Sequence, residues 1–398
     1  MQRALAGVVL ARMAVNGGIR VVYPFLPVIA DGLGVSLQVV AMLVASRSLA
    51  GLAAPWIARL VSSYHHRTLM LTSQVLVVTG CLMIAASQAA PTPIRTAVAA
   101  AGFVATGLAR PLFDLPMQAW VSAHVPPTSR GRALGVTELG WSLSLVATVP
   151  AAGVLIGRFG WHSPFLLVAG LAAAGALALM IALRRETLSV PDVPAPAHMS
   201  MMTRRVPAGL AICVGALLAV AAGESLLVMY GEWLAQDFGM SVAQIGASTV
   251  LVVAAELAGE GFVVAASDRL GLCRSLFTGL LLSATAYVAL GLIGGHMWLA
   301  VAAIALLFVA FEVTVVVLIA FASTVMSTAA EGVRLLGGLM VAVACGNAIG
   351  AVLAPPIFSR GGIGLLGTAS AGAVMAAAAV LWLGSRPVPK VAAPYVGA

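Results

Sequence analysis

Charge is what this sequence has little of. Of its 398 residues only 9% are Asp, Glu, Lys or Arg, and 61% are hydrophobic, whereas an ordinary soluble domain carries about 25% charged residues. A water-soluble fold of this length cannot cover its surface with so few charges, which excludes that class. Cysteine is scarce too. Cys81, Cys213, Cys273 and Cys345 fall in or at the ends of apolar segments with no C-x-x-C spacing, so they read as small core residues rather than a disulfide framework or a zinc site. No Gly-x-x-x-x-Gly-Lys loop occurs, no His and Cys cluster with metal spacing, and no Ser, His and Asp arrangement is suggested by position. An enzyme, an ATP-driven pump and a resident metal or cofactor are therefore not expected, and the energy source should be an ion gradient.

What the sequence does have is long apolar runs. A bilayer-spanning helix needs about 20 such residues, and runs of that length recur with short polar breaks, leaving almost nothing for a soluble domain. A spanning β-barrel would alternate apolar and polar residues, but Leu280 to Leu290 and Val301 to Phe311 are apolar on every side. The expected fold is an all-α polytopic membrane protein with twelve spans: 4–29, 37–61, 68–88, 94–120, 132–156, 163–183, 208–235, 242–266, 275–294, 298–326, 333–357 and 362–384. The first run carries Arg12, Asn16 and Arg20 and lacks a small-residue cleavage site, so it reads as a retained span rather than a signal peptide.

The net charge of +8 would suggest nucleic acid in a soluble protein, but here its placement is topological. Arg67, Arg130, Arg132, Arg184, Arg185, Arg204, Arg205, Arg269, Arg274, Arg386 and Lys390 lie on alternate breaks, against Arg95, Arg158 and Arg360 on the others. By the positive-inside rule both termini are cytoplasmic, and the breaks holding those three arginines face the opposite side. The polar stretch from Arg184 to Pro207 contains Pro191, Pro194 and Pro196 and reads as a flexible cytoplasmic linker. It would divide the chain into a six-helix bundle at 1–183, the linker at 184–207, and a second bundle with a short tail at 208–398. Two sets of six that both start inside are parallel repeats.

The break Ser267-Asp268-Arg269-Leu270-Gly271-Leu272-Cys273-Arg274, with Glu256 and Glu260 before it, resembles the cytoplasmic gating motif of the major facilitator superfamily and its bacterial efflux members. The matching first-half break, Ala58 to Arg67, has Ser62 and His65 where the family has Asp and Gly. Further matches are Tyr23-Pro24-Phe25-Leu26-Pro27, Phe113-Asp114, Arg130-Gly131-Arg132-Ala133, Gly160-Trp161 and, partially, Pro150-Ala151-Ala152-Gly153. The resemblance implies two pseudo-symmetric six-helix bundles. It also implies a gate built from Asp268, Arg269, Gly271, Arg274, Arg130, Arg132, Glu256 and Glu260, and a cavity lined by spans one, four, seven and ten.

An ionisable group near the bilayer centre costs roughly 2.5–3.5 kcal/mol on insertion scales, so each such group needs a reason. Arg12, Asn16 and Arg20 recur at i, i+4 and i+8 on span one, and Arg110 and Asp114 share that spacing on span four. Arg110 and Asp114 also fit a structural ion pair, and Arg47 a structural partner within the first half. Glu224 and Glu312 fall midway along spans seven and ten with no basic residue in their own helix turn. Burial favours the neutral form of a carboxyl, the chemistry of proton coupling. Arg20 is then a counter-ion across the cavity or a clamp for an anionic substrate. The expected activity is proton-coupled efflux of small amphipathic molecules by a monomer in the bacterial inner membrane, with protons, a small-molecule substrate and the lipid bilayer as partners and no nucleic acid. Proton-symport uptake of a sugar or organic anion is the alternative. A non-transporting receptor or a scramblase is the alternative from another class.

Overall fold

A computed structural model describes residues 2–183, 206–293, 296–324 and 329–385. The linker is outside this set except for Val206 and Pro207, as are the side chains of Arg130, Arg132, Asp268 and Arg269. Among the described residues every regular element is helical. The first span, α1, runs as Gln2–Arg20, a 3-10 turn at Tyr23–Phe25, and Leu26–Leu33. Pro24 and Pro27 lack the N–H that an unbroken α-helix would use. Next come α2 (Leu37–Leu49, continuing through Ala54–Ser63), α3 (His66–Ala86), α4 (Thr92–His124), α5 (Pro127–Phe159) and α6 (Ser163–Ala182). The second set opens with α7 (Val206–Phe238), α8 (Val242–Leu270), α9 (Leu272–Leu290) and α10 (Met297–Thr324).

The last helical stretch, Ala329–Ser385, has 57 residues, about 85 Å at 1.5 Å per residue, far longer than a bilayer is thick. It breaks at Gly361 and Gly362. Gly362 has φ +60°, a conformation that glycine adopts without strain, so the stretch is two helices, α11 (329–360) and α12 (363–385). Twelve spans result. Eleven of these helices contain an apolar stretch long enough to cross a membrane, and α5 contributes the shorter Leu143–Phe159 within its 33 residues.

The packing repeats with a shift of six. In the first set α1 packs on α5 and α6, α3 on α4 and α6, and α2 on α4. In the second, α7 packs on α11 and α12, α9 on α10 and α12, and α8 on α10. Small residues let these helices touch backbone to backbone. A Cβ at Gly107 would stand 2.3 Å from the Arg47 carbonyl oxygen, and one at Gly259 2.8 Å from that of Val309. These are the α2/α4 crossing and its α8/α10 counterpart. Between the sets, α2 packs on α11 and α5 on α8, two contacts that the same shift exchanges. Such an arrangement is two six-helix halves about a pseudo-two-fold axis.

Polarity is inverted relative to a soluble protein. Trp56, Val75, Ile181, Leu281, Trp298 and Leu383 are more than half exposed, whereas Arg12, Arg20, Arg47, Glu224 and Glu256 are buried. An apolar exterior of this extent needs lipid to cover it.

Candidate functional site

The helices alternate in direction, so Gln2 marks one end of the bundle and Leu33 the other, distal end. Midway between them α1 carries a polar stripe, with Arg12, Asn16 and Arg20 exposed by 5%, 0% and 7%. Helical spacing of four residues places all three on one face. Arg12 Nε lies 3.5 Å from Asp114 Oδ1, and Arg110 Nε lies 3.6 Å from Asp114 Oδ2. Both pairs stay within the first half. Among the described residues neither amide atom of Asn16 has a hydrogen-bond partner.

Arg20 crosses to the other half. Its Nη1 donates to Glu256 Oε2 over 2.8 Å and its Nη2 to Glu256 Oε1, the two-pronged arrangement that suits guanidinium and carboxylate. Glu256 is the residue that the resemblance groups with the gate. Its position is 14 residues into the 29 of α8, about 21 Å from the start of that helix, so it is a midspan group in the core. Glu260 follows one turn later. Glu312 on α10 faces α8, where a Cβ at Gly259 would meet its own Cβ at 2.9 Å. Its charged neighbours are Glu256, Arg20 and Glu260. Arg20 thus bonds directly to Glu256, and Glu224 and Glu312, expected as its counter-charges, lie within its electrostatic reach.

Glu224 is held by a residue that the sequence offered only as part of a family match. Tyr23 Oη donates to Glu224 Oε1 over 2.8 Å, a second link between α1 and the other half. Arg47 supports it from α2: its Nη1 donates to the Ile19 carbonyl oxygen over 2.7 Å, and its guanidinium sits 5.1 Å from the centre of the Tyr23 ring and 5.9 Å from that of Phe103.

Close approaches between the halves lie toward the distal end. A Cβ at Gly231 would stand 2.2 Å from the Pro24 carbonyl oxygen, one at Gly153 3.0 Å from that of Val242, and one at Gly246 3.1 Å from that of Val149. Gln38 Nε2 donates to the Val352 carbonyl oxygen over 3.0 Å. Outside these contacts a cavity of about 900 Å³ opens at the distal surface, lined in part by Ser36, Gln38, Glu232, Gln236, Asp237 and Ser359. At the opposite end Gly271 joins α8 to α9 with φ +82°, and Arg274 is exposed.

A bundle with inverted polarity, a six-helix repeat and charges pooled between its halves has counterparts among known proteins. The family profile described as Major Facilitator Superfamily matches residues 8–210, just over half of the chain. The chain belongs to the major facilitator superfamily. Proteins described as uncharacterized MFS-type transporters from Burkholderia mallei and Burkholderia pseudomallei are 40% identical over 93 residues, 23% of this chain and 23% of theirs. The matched stretch therefore spans under a quarter of those curated relatives. A solved structure described as a bacterial homolog to the human lysosomal transporter Spinster, inward-facing and occupied, superposes with a TM-score of 0.71 at 14% identity over 96% of each chain. That likeness concerns the fold of this superfamily member.

Proposed function

We propose that this protein is a secondary transporter that exports small amphipathic molecules in exchange for protons by alternating access. The observation that carries this reading is the pair of buried links between α1 and the second half, Arg20 to Glu256 and Tyr23 to Glu224. Buried ion pairs contribute little net stability, so the setting of Arg20 against Glu256 midway through the bundle calls for another role. Carboxylates at that depth, Glu224, Glu256 and Glu312, exchange partners among arginine, proton and a cationic substrate group as the halves rock.

On this reading the distal end is periplasmic, both termini and the linker are cytoplasmic, and the protein works as a monomer in the bacterial inner membrane. The arrangement with Gly231 against Pro24 is then the state closed to the outside. Asp268, Arg269, Gly271, Arg274, Arg130 and Arg132 form the cytoplasmic gate. Proton-symport uptake of a sugar or organic anion is the second reading, favoured by the Arg110 side chain, which is 44% exposed midway along α4.

Proton flux in liposomes, measured against a panel of cationic, neutral and anionic compounds, tests the choice. Proton movement opposite to a cationic or neutral compound supports export by exchange. Movement together with an anion or sugar supports the second reading, and no flux with any compound counts against proton coupling.

A further inference from the structure

Tyr23 carries no charge, yet it stands where the buried carboxylates meet the distal contacts. It opens the 3-10 turn Tyr23–Phe25. The next residue, Pro24, presents its carbonyl to Gly231, and the Phe25 ring stands 3.3 Å from where a Cβ on Gly246 would be. Tyr23 and Glu224 are 7% and 3% exposed, so water cannot readily replace the bond between them. We propose that Tyr23 is a positioning residue that ties the charge state of Glu224 to closure of the distal end. The proposal rests on reading Glu224 as a coupling carboxylate.

The physical argument is the difference between a charged and a neutral acceptor. A hydroxyl bond to an ionised carboxylate is roughly twice as strong as one to a neutral group. Ionised Glu224 therefore draws Tyr23, and with it Pro24 and Phe25, onto α7 and α8. Protonation weakens the pull, and the distal ends are then free to part. Arg47 holds the tyrosine in place, with its guanidinium over the ring and its Nη1 on the Ile19 carbonyl. The charged groups that face Glu224 are Arg20 from α1, Arg47 from α2 and Arg110 from α4. Of the second-half helices, α10 brings the Phe311 ring against Gly223, and α11 brings Gly350 against the Glu224 Cβ. Neither of those contacts supplies a competing charge.

The test reads distance rather than transport. Spin labels on Ser36→Cys, the N-cap of α2, and Gln236→Cys on α7, both exposed at the distal end, report separation of the halves in a chain whose four native cysteines are replaced. The short distance should dominate at high pH, and a longer one should grow as pH falls. Tyr23→Phe fills the same space without the hydroxyl. It should raise the ratio of long to short populations roughly tenfold at high pH, about 1.4 kcal/mol, and flatten the pH response. Glu224→Gln, fixed neutral, should do the same, and the double variant should go no further than either single one. A wild-type pH response in Tyr23→Phe, or additive effects in the double variant, overturns the proposal. Proton-driven transport by Glu224→Gln is a separate readout. If it stays at the wild-type rate while the distance responses hold, the coupling reading fails and the tie stands.

Discussion

Neutralising Glu256 tests most directly what the buried pair does. Its side chain is 2% exposed and that of its partner, Arg20, 8%, so neither charge recovers hydration when the other is removed. Glu256→Gln keeps the volume and most of the hydrogen bonding but removes the charge that the Arg20 guanidinium is bonded to, a change that costs about 3–5 kcal/mol when one member of a buried pair is lost. Arg20→Gln should cost a similar amount for the mirror-image reason. The double variant removes both charges together, and replacing a whole buried pair is often close to neutral. The two single losses together should therefore exceed the loss in the double variant by more than about 3 kcal/mol, above the usual range of coupling energies between neighbours. By contrast Arg110→Gln, on a side chain 44% exposed, should cost about 1 kcal/mol or less. The assay is the unfolding midpoint in one fixed detergent and lipid mixture, followed by tryptophan fluorescence, with size-exclusion profiles as a check on folding. Additive losses, or a double variant less stable than either single one, would refute the claim that these charges answer each other across the halves.

Three further outcomes are expected. Glu224→Gln and Glu312→Gln should retain counterflow but lose proton-driven accumulation at equal protein level; full proton-driven transport in both would shift the coupling role to Asp114. Gly231→Ala places a methyl 2.2 Å from the Pro24 carbonyl oxygen, so the distal ends should separate, read as faster labelling of a cysteine placed at buried Ile29; unchanged labelling would show that this contact does not seal the end. A cysteine introduced at Ala195 should resist an impermeant maleimide added to intact cells, and its labelling from outside would reverse the proposed topology.

The fold was largely legible because hydropathy reports lipid contact directly. The break expected between 357 and 362 falls at Gly361 and Gly362, where the chain needs a conformation that glycine supplies. One boundary slipped at the eleventh span. The eleventh span was expected to end at 357, just after Pro355 and Pro356, but helix continues to 360. There the Pro356 carbonyl oxygen accepts from Ser359 Oγ at 3.1 Å and Arg360 Nη1 at 2.7 Å, so the helix end is satisfied by side chains three and four residues on. The site was legible only within single helices. Spacing of four showed the stripe of Arg12, Asn16 and Arg20, but Arg20 and Glu256 lie 236 residues apart and Tyr23 and Glu224 lie 201 apart, and no periodicity carries information over such separations. Glu256, which the resemblance groups with the gate, stands about three turns of helix before Asp268.

The two halves share a packing plan but not a charge. Among the described residues every buried arginine, Arg12, Arg20 and Arg47, is in the first half, and every buried glutamate, Glu224 and Glu256, is in the second. The shared plan makes the packing of the two halves equivalent on either side of the interface, because the α2/α11 and α5/α8 contacts exchange under the pseudo-two-fold axis. Opposite charge on the facing walls adds an attraction that packing symmetry lacks, and in a site of low dielectric it is not screened as it would be at a surface. On the proposed cycle, separating the walls requires that a second-half carboxylate first receive a proton or a cation in place of its first-half partner. Arg20 meets that condition at Glu256 by charge, and Tyr23 meets it at Glu224 by a hydrogen bond that depends on charge. Neutralising one carboxylate at a time should therefore relax the closed arrangement stepwise, and the Arg20→Gln and Glu256→Gln double variant should keep only the gradient dependence that Glu224 and Glu312 supply.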